Sequence, residues 1–294
     1  VLLGCTDEEA LNYDPDATEN DGCNYIDNGD YSLHFDGVDD YVDLGPTFIG
    51  YQNEYSIAAA FYADSYEGAF IYHNRNHDMG SYLRLTSNPN NGNEIELNFY
   101  VGTDAENCPG YTTNTGYCAV DLYFPINLNE WYDVVGSYNG QIMKLFVNGI
   151  LVDSIEFSGN QYWSGDALPG QQGYYYTTIG DNHGGGYKPI DGKIDDLVIF
   201  SRALTDEEIL SLNFSELFID DPSIRSFYKF NAGEGNILYD HSGNQNHGTI
   251  YGPLWIESYI GCTDPLAENY SENDGCNYID NGDYSLHFDG VDDY

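Results

Sequence analysis

Between Asn12 and Asp21 oxygen-bearing side chains fall on alternate positions: Asn12, Asp14, Asp16, Thr18 and Asn20, with Asp21 adjacent. Alternate oxygen ligands in a tight loop can converge on one hard cation, and calcium is the expected cofactor. The stretch is not an EF-hand, because the central glycine and the distal bidentate glutamate are missing. The competing reading is a polar turn closed by Cys5 and Cys23. A related stretch further on keeps Asp264, Asn269, Ser271, Asn273 and Asp274 but has lost the counterparts of Asp14 and Asp16. It is expected to bind calcium more weakly, or not at all.

Catalytic chemistry finds little footing. There is no GxSxG elbow and no HExxH helix, so the common nucleophile and zinc arrangements are missing. Glu94 and Glu96 share one strand face, but a paired-carboxylate glycosidase needs an opposed group across a cleft. A non-enzymatic role is expected. Trp163, Tyr175 and Tyr187 fall in or near glycine-rich loops, where their rings could stack on sugars. The alternative makes them core residues or cross-strand pairs, since aromatics are good strand formers. His183, followed by three glycines, reads as a hairpin tip rather than a phosphate cradle.

The 294 residues hold 8 Lys plus Arg against 49 Asp plus Glu, a net charge of −41. Such a field repels phosphate backbones and anionic lipid, so no nucleic acid and no membrane insertion are expected. Divalent cations are the natural counterweight. No apolar run approaches the roughly 20 residues that span a bilayer. The six cysteines form three sequence-local pairs, Cys5 with Cys23, Cys108 with Cys118, and Cys262 with Cys276, which favours disulfides and an extracellular, secreted or cell-surface setting. Leu2 to Cys5 looks like the end of a lipoprotein signal, yet the same place in a second copy lies deep inside the chain, so lipidation is not expected.

That second copy is the most informative feature. Glu19 to Tyr41 recurs unchanged as Glu272 to Tyr294, and Gly4 to Tyr13 (GCTDEEALNY) returns as Gly261 to Tyr270 (GCTDPLAENY). A longer tandem array is therefore expected.

Between the modules, apolar and polar residues alternate in short runs broken by Gly and Asn, as at Tyr55–Ala63, Ser81–Thr86, Glu94–Val101 and Ala119–Phe124. From Glu130 to Phe157, Asn139-Gly140 and Asn148-Gly149 predict two-residue hairpin turns. One helix start stands out: Thr205-Asp206-Glu207-Glu208 is a capping box.

FDGVDDYVDLG (Phe35 to Gly45), EWYDVVGSYNGQIMKLFVNGILV (Glu130 to Val152) and GKIDDLVIFSRALTDEEI (Gly192 to Ile209) together resemble the laminin-G-like, concanavalin A-like jelly rolls common in bacterial surface proteins. The resemblance implies an all-β, antiparallel jelly-roll sandwich. It also implies a structural calcium near the FDGVDD loop and the late IDD strand, with Asp36, Asp39 and Asp195 as first choices and Asp196 and Asp181 behind them. Strict alternation puts Asp195 on the core side with Leu197 and Ile199. The cysteine modules are similar to calcium-binding repeats of the thrombospondin type 3 kind.

The expected division is a cysteine module at 1–28, a jelly roll at 29–217, a linker at 218–258, a second module at 259–278 and the start of another roll at 279–294. Phe227 to Trp255 looks like the family's lead-in strand, and either completes the next unit or docks on the preceding one. The leading expectation for function is a calcium-stabilised structural or adhesive repeat unit whose partners are neighbouring copies of itself, tandem or joined by lent strands. The alternative is a carbohydrate-binding module, possibly appended to a polysaccharide-degrading enzyme, with extracellular glycans as partners. Asn213 and Asn269 sit in NxS sequons.

Overall fold

Alternation at period two builds nearly all of the structure, because each strand turns one side-chain row into a shared core and the other outward. The computed structural model describes residues 1–45, 54–66, 69–76, 79–88, 94–113, 116–160, 177–181, 189–212 and 221–257. The second module, with Cys262, Cys276, Asp264, Asn269, Asn273 and Asp274, lies outside them. So do Trp163, Tyr175 and Tyr187.

The strands run β1 (Leu3–Gly4), β2 (Glu19–Asn20), β3 (Tyr31–Asp36), β4 (Tyr41–Asp43), β5 (Tyr55–Ala63), β6 (Phe70–Asn76), β7 (Met79–Asn88), β8 (Glu94–Thr103), β9 (Tyr111–Thr112) and β10 (Cys118–Pro125). They continue with β11 (Trp131–Tyr138), β12 (Ile142–Val147), β13 (Ile150–Glu156), β14 (Thr178–Ile179), β15 (Asp191–Phe200), β16 (Ile224–Tyr228), β17 (Ile237–Leu238), β18 (Gly248–Tyr251) and β19 (Leu254–Glu257). Among the described residues, one sheet has the order β17-β18-β4-β14-β6-β7-β8-β10-β9 and the other β13-β12-β11-β5-β15-β3-β19, with β16 also on β15. This is the antiparallel sandwich that the motifs imply.

The core between the sheets takes Tyr55, Ile57, Ala59 and Phe61 from β5, Leu97, Phe99 and Val101 from β8, and Val134 and Tyr138 from β11. Gly136 breaks the apolar row for a steric reason: a Cβ there would lie 2.7 Å from the Phe99 ring. On the outer face of the β5 sheet, Ala58, Val135, Phe146, Val198 and Phe200 are covered by Leu204 and Ile209. Ile209 belongs to helix α1 (Asp206–Leu210), which has the expected capping box of Thr205 and Glu208. Arg202 anchors this cover through a bidentate pair with Glu208 at 2.7 Å and a bond to Asp221 at 2.9 Å. Among the described residues, Leu204 and Ile209 cover one half of that outer face, and the other half is the candidate site.

Three expectations need correction. Asn148-Gly149 forms the two-residue turn, both φ values positive, but the turn before β12 is centred one residue later, on Gly140-Gln141. The Asn139 side chain shifts it by accepting from the Gln141 and Ile142 N–H groups at 3.0 and 2.7 Å. Second, a bulge between Asp195 and Val198 interrupts the alternation of β15. Ile194 and Leu197 both reach the core, whereas Asp195 sits opposite Ala60 on the outer side. Third, the stretch set apart as a linker is not one. β16 pairs with β15, β18 with β4, and β19 lies beside β3, so the segment docks on this roll and closes a compact unit, Val1–Ile256.

The first cysteine module packs on that closing segment. Beyond its parallel strands β1 and β2, a disulfide joins Cys5 to Cys23. Tyr25 stacks on Tyr239 with ring centroids 5.1 Å apart, and Asn28 donates to the Asn231 and Ala232 carbonyls at 2.9 and 2.6 Å. The Asp240 N–H donates to His247 Nδ1 at 2.9 Å, which leaves Nε2 as the protonated nitrogen, 2.6 Å from the Asp7 carboxylate. Burial pushes the Asp7 carboxyl up, but the Tyr25 hydroxyl, His247 and the Glu9 N–H outweigh it and hold it below its ordinary range.

Candidate functional site

The uncovered half of the β5 sheet presents a row across four strands. Trp131 on β11 is paired with Tyr62 on β5, Tyr62 with Lys193 on β15, and Lys193 with His34 on β3. The sequence places these residues 28 to 159 positions apart, and only strand register brings them together. Trp131 is 43% exposed, and its ring is tilted against Tyr62 at a centroid distance of 5.7 Å. Lys193 Nζ lies 4.3 Å from the Tyr62 ring centroid, a cation–π contact. His34 Nε2 is 3.5 Å from Asp64 Oδ2.

Acids flank the row on both sides. On one side, His34, Asp64 and Asp191 bring one ligand atom each within 4.8 Å of one another, and Asp36, Asp39 and Asp40 do the same. The two groups adjoin, because Asp36 and Asp191 are directly opposed across β3 and β15. Like charges so placed are unfavourable. Gly37 makes the approach possible: its φ is +74°, and a Cβ there would lie 2.9 Å from that of Asp191. Asp40 is turned inward by accepting from the Asp36 N–H at 2.9 Å. Burial pushes the Asp40 carboxyl up, the Asp36 N–H pulls it down, and the charges of Asp36 and Asp39 push it up again. Hard carboxylate oxygens crowded at this spacing fit a calcium ion, which would relieve the repulsion.

On the other side lie Asp133 and Asp195, flanking Ala60, with Asp196 in the bulge. Burial raises the Asp196 carboxyl to about 7, helped by the nearby Asp30 and Asp133 carboxylates and opposed by Lys229. Ala60 adds only a methyl group between Asp133 and Asp195, so the surface beside the aromatic row is low and polar.

The structure brings the predicted Asp36 and Asp39 together and adds Asp40, which the sequence reading passed over although it is adjacent. Asp195 does not join them. It lies four residues along β15 from Asp191, about 13 Å away. In the first module the predicted ligands serve the local backbone. Asn12 bonds Gly22 and Asn24, Asp14 caps the Asp16 N–H, Thr18 bonds Leu2, and Asn20 accepts from the Thr6 N–H and donates to Gly243. Asp14, Asp16 and Asp21 form no cluster of the kind seen at Asp36. Of the predicted disulfides, Cys5–Cys23 and Cys108–Cys118 are formed. No helix among the described residues is long and apolar enough to cross a membrane.

Comparison with known proteins agrees with this architecture. A laminin G family model, described as the concanavalin A-like lectin/glucanases superfamily, matches residues 36–210. A candidate carbohydrate binding protein from Bacteroides ovatus superposes with a TM-score of 0.58 at 15% identity, over 80% of this chain, which spans 61% of that protein. The CBM40 of the Ruminococcus gnavus IT-sialidase, bound to α2,3-sialyllactose, gives 0.42 at 14% identity over 61% of this chain and 95% of that one. A heptameric SAP-like pentraxin from Limulus polyphemus gives 0.41 at 15% identity over 63% and 82%. No curated protein matches the chain.

Proposed function

Because the chain belongs to the concanavalin A-like lectin/glucanase superfamily, we propose that it is a non-enzymatic, extracellular glycan-binding module whose sugar lies on the row Trp131–Tyr62–Lys193–His34. The observation that carries this reading is the exposed Trp131 ring beside the half-buried Tyr62, set between carboxylates. An apolar sugar face can stack on the rings while its hydroxyls donate to Asp64 or Asp133. The shared fold with the Bacteroides ovatus protein supports the reading, and the two disulfides suit an oxidising, extracellular setting. The internal repeat supports presentation in several copies, in a structural or adhesive array, which would raise avidity without any new contact.

The test is titration calorimetry against a panel of neutral oligosaccharides. Trp131→Ala is expected to lower affinity at least about tenfold, the scale of losing an aromatic anchor, with the melting temperature little changed. Equal binding by both proteins would remove Trp131 from the site.

Calcium is proposed at Asp36, Asp39 and Asp40. A ligand at a hundred times its dissociation constant stabilises by about 2.7 kcal/mol, which for a domain of this size raises the melting temperature by roughly 5–10 °C. Asp39→Asn should abolish most of that rise in a thermal scan with and without chelator. Melting indifferent to calcium in the parent protein would dispose of the site.

A further inference from the structure

His34, Asp64 and Asp191 offer a donor set unlike that of Asp36, Asp39 and Asp40 beside them. One imidazole nitrogen and two carboxylate oxygens lie within 4.8 Å of one another. Three elements supply them. His34 stands in β3, Asp191 opens β15 two residues before Lys193, the partner of His34, and Asp64 directly follows β5. The Asp64 and Ser65 N–H groups donate to the Asp191 carbonyl at 2.9 and 3.4 Å, which ties the end of β5 to the start of β15. The three side chains are thus placed by backbone pairing rather than by contact with each other.

His34 Nε2 is 3.5 Å from Asp64 Oδ2. A charge-assisted N–H···O bond closes to about 2.7–2.9 Å. Two ligand atoms on one tetrahedral zinc, each about 2.0–2.1 Å from it, stand about 3.3 Å apart. The observed separation is therefore nearer to shared coordination than to a direct hydrogen bond. The Ser65 hydroxyl donates to Asp191 Oδ2 at 2.5 Å and fixes the rotation of that carboxylate, as outer partners of ligating carboxylates do.

The donors select the ion. Calcium takes six to eight oxygens, more than these side chains carry, whereas imidazole suits zinc and its neighbours. With His34 neutral, the two carboxylates balance the charge of one divalent ion. The His34 and Asp64 side chains are 32% and 36% exposed, so the ion has a way in, and the field of a chain of net charge −41 concentrates cations around it.

We propose that His34, Asp64 and Asp191 form a zinc site, separate from the calcium site at Asp36, Asp39 and Asp40, with its fourth position open to water or to a donor atom of a bound molecule. Ser65 is a positioning residue. The proposal needs no sugar and stands apart from the glycan-binding reading.

The test titrates cobalt(II), a visible-absorbing stand-in for zinc, into the full, untagged chain at neutral pH with calcium in excess. The parent chain is expected to take up one cobalt with the intense visible bands of tetrahedral coordination and to release it to zinc. His34→Ala should weaken uptake at least about a hundredfold and remove the bands, and Ser65→Ala should weaken it about tenfold, the scale of losing an outer partner. Melting in chelator shows whether each variant is folded, and Asp64→Asn carries the same expectation as His34→Ala should that variant unfold. No cobalt uptake by the parent chain, uptake undiminished in folded His34→Ala or Asp64→Asn, or displacement of the cobalt by calcium would overturn the proposal.

Discussion

Asp240→Ala is expected to destabilise the protein by about 3–5 kcal/mol, the range for breaking a fully buried hydrogen-bond hub. Asp240 has no exposed surface. Its Oδ1 accepts from the Phe227 and Ser242 N–H groups at 2.9 and 3.0 Å, and its Oδ2 from the Ser242 hydroxyl and the Asn246 N–H, both at 2.9 Å. Alanine leaves these donors without an acceptor and without water. The same backbone unit aims His247 at Asp7, so the closing segment loses its shape and its hold on the first module together. A domain of this size falls by about 2–4 °C per kcal/mol, so the melting temperature should drop by roughly 10–15 °C. Asp240→Asn, which keeps the volume and one acceptor, should cost less. Denaturant unfolding of the three proteins decides it, and a loss below about 1 kcal/mol for alanine would show that Asp240 does not organise the segment.

The strands were legible because their physics is local. Tyr55–Ala63 and Glu94–Val101 alternate because one face of each strand is core, and the capping box at Thr205 is written in four consecutive residues. What was not legible is non-local. Nothing in Phe227–Trp255 says that Tyr251 will pair with Tyr41, some two hundred residues away, rather than with the identical Tyr294 of the second copy. The bulge at Asp195 was equally hidden. A strand that slips by one residue there exchanges its faces, and alternation read through the slip puts a carboxylate in the core.

The site divides along the same line. Asp36 and Asp39 belong to one tight turn, so FDGVDD announces them, whereas Asp64 and Asp191 reach that turn only through the pairing of β15 with β3 and β5. Trp131 and Tyr62 stand in strands whose alternation explains them as ordinary sheet residues. Their rings become a surface because α1 covers only the other half of the sheet. Glycine-rich loops drew the search for sugar-binding aromatics to Trp163, Tyr175 and Tyr187, and a spacing argument cannot find a row spread over four strands. The signal that could have found it is the pairing of Trp131-Tyr132 with Phe61-Tyr62, two alternating runs whose outward residues, Trp131 and Tyr62, are both aromatic.

Removing the Cys5–Cys23 bond, by a double change to alanine, should cost about 3 kcal/mol on the chain-entropy account, given its sequence separation of 18 residues. The loss should fall almost entirely on the module. The main core excludes it, and the module's small cluster of Cys5, Ala10 and Tyr25 with Ala232 and Tyr239 is too small to hold so polar a loop alone. Amide exchange is the fitting measurement, since it reports stability region by region. Protection is expected to vanish around Leu3–Gly4 and to fall around Tyr239, while the amides of Tyr55–Ala63 exchange as before. The Cys108–Cys118 bond offers a control. It closes 10 residues whose strands β9 and β10 are already paired, Cys118 opposite Thr112, so its removal should change exchange only along that edge. If loss of Cys5–Cys23 instead loosened both large sheets together, the module would have to be counted as part of the sandwich's own cooperative unit rather than a piece clamped onto its closing segment.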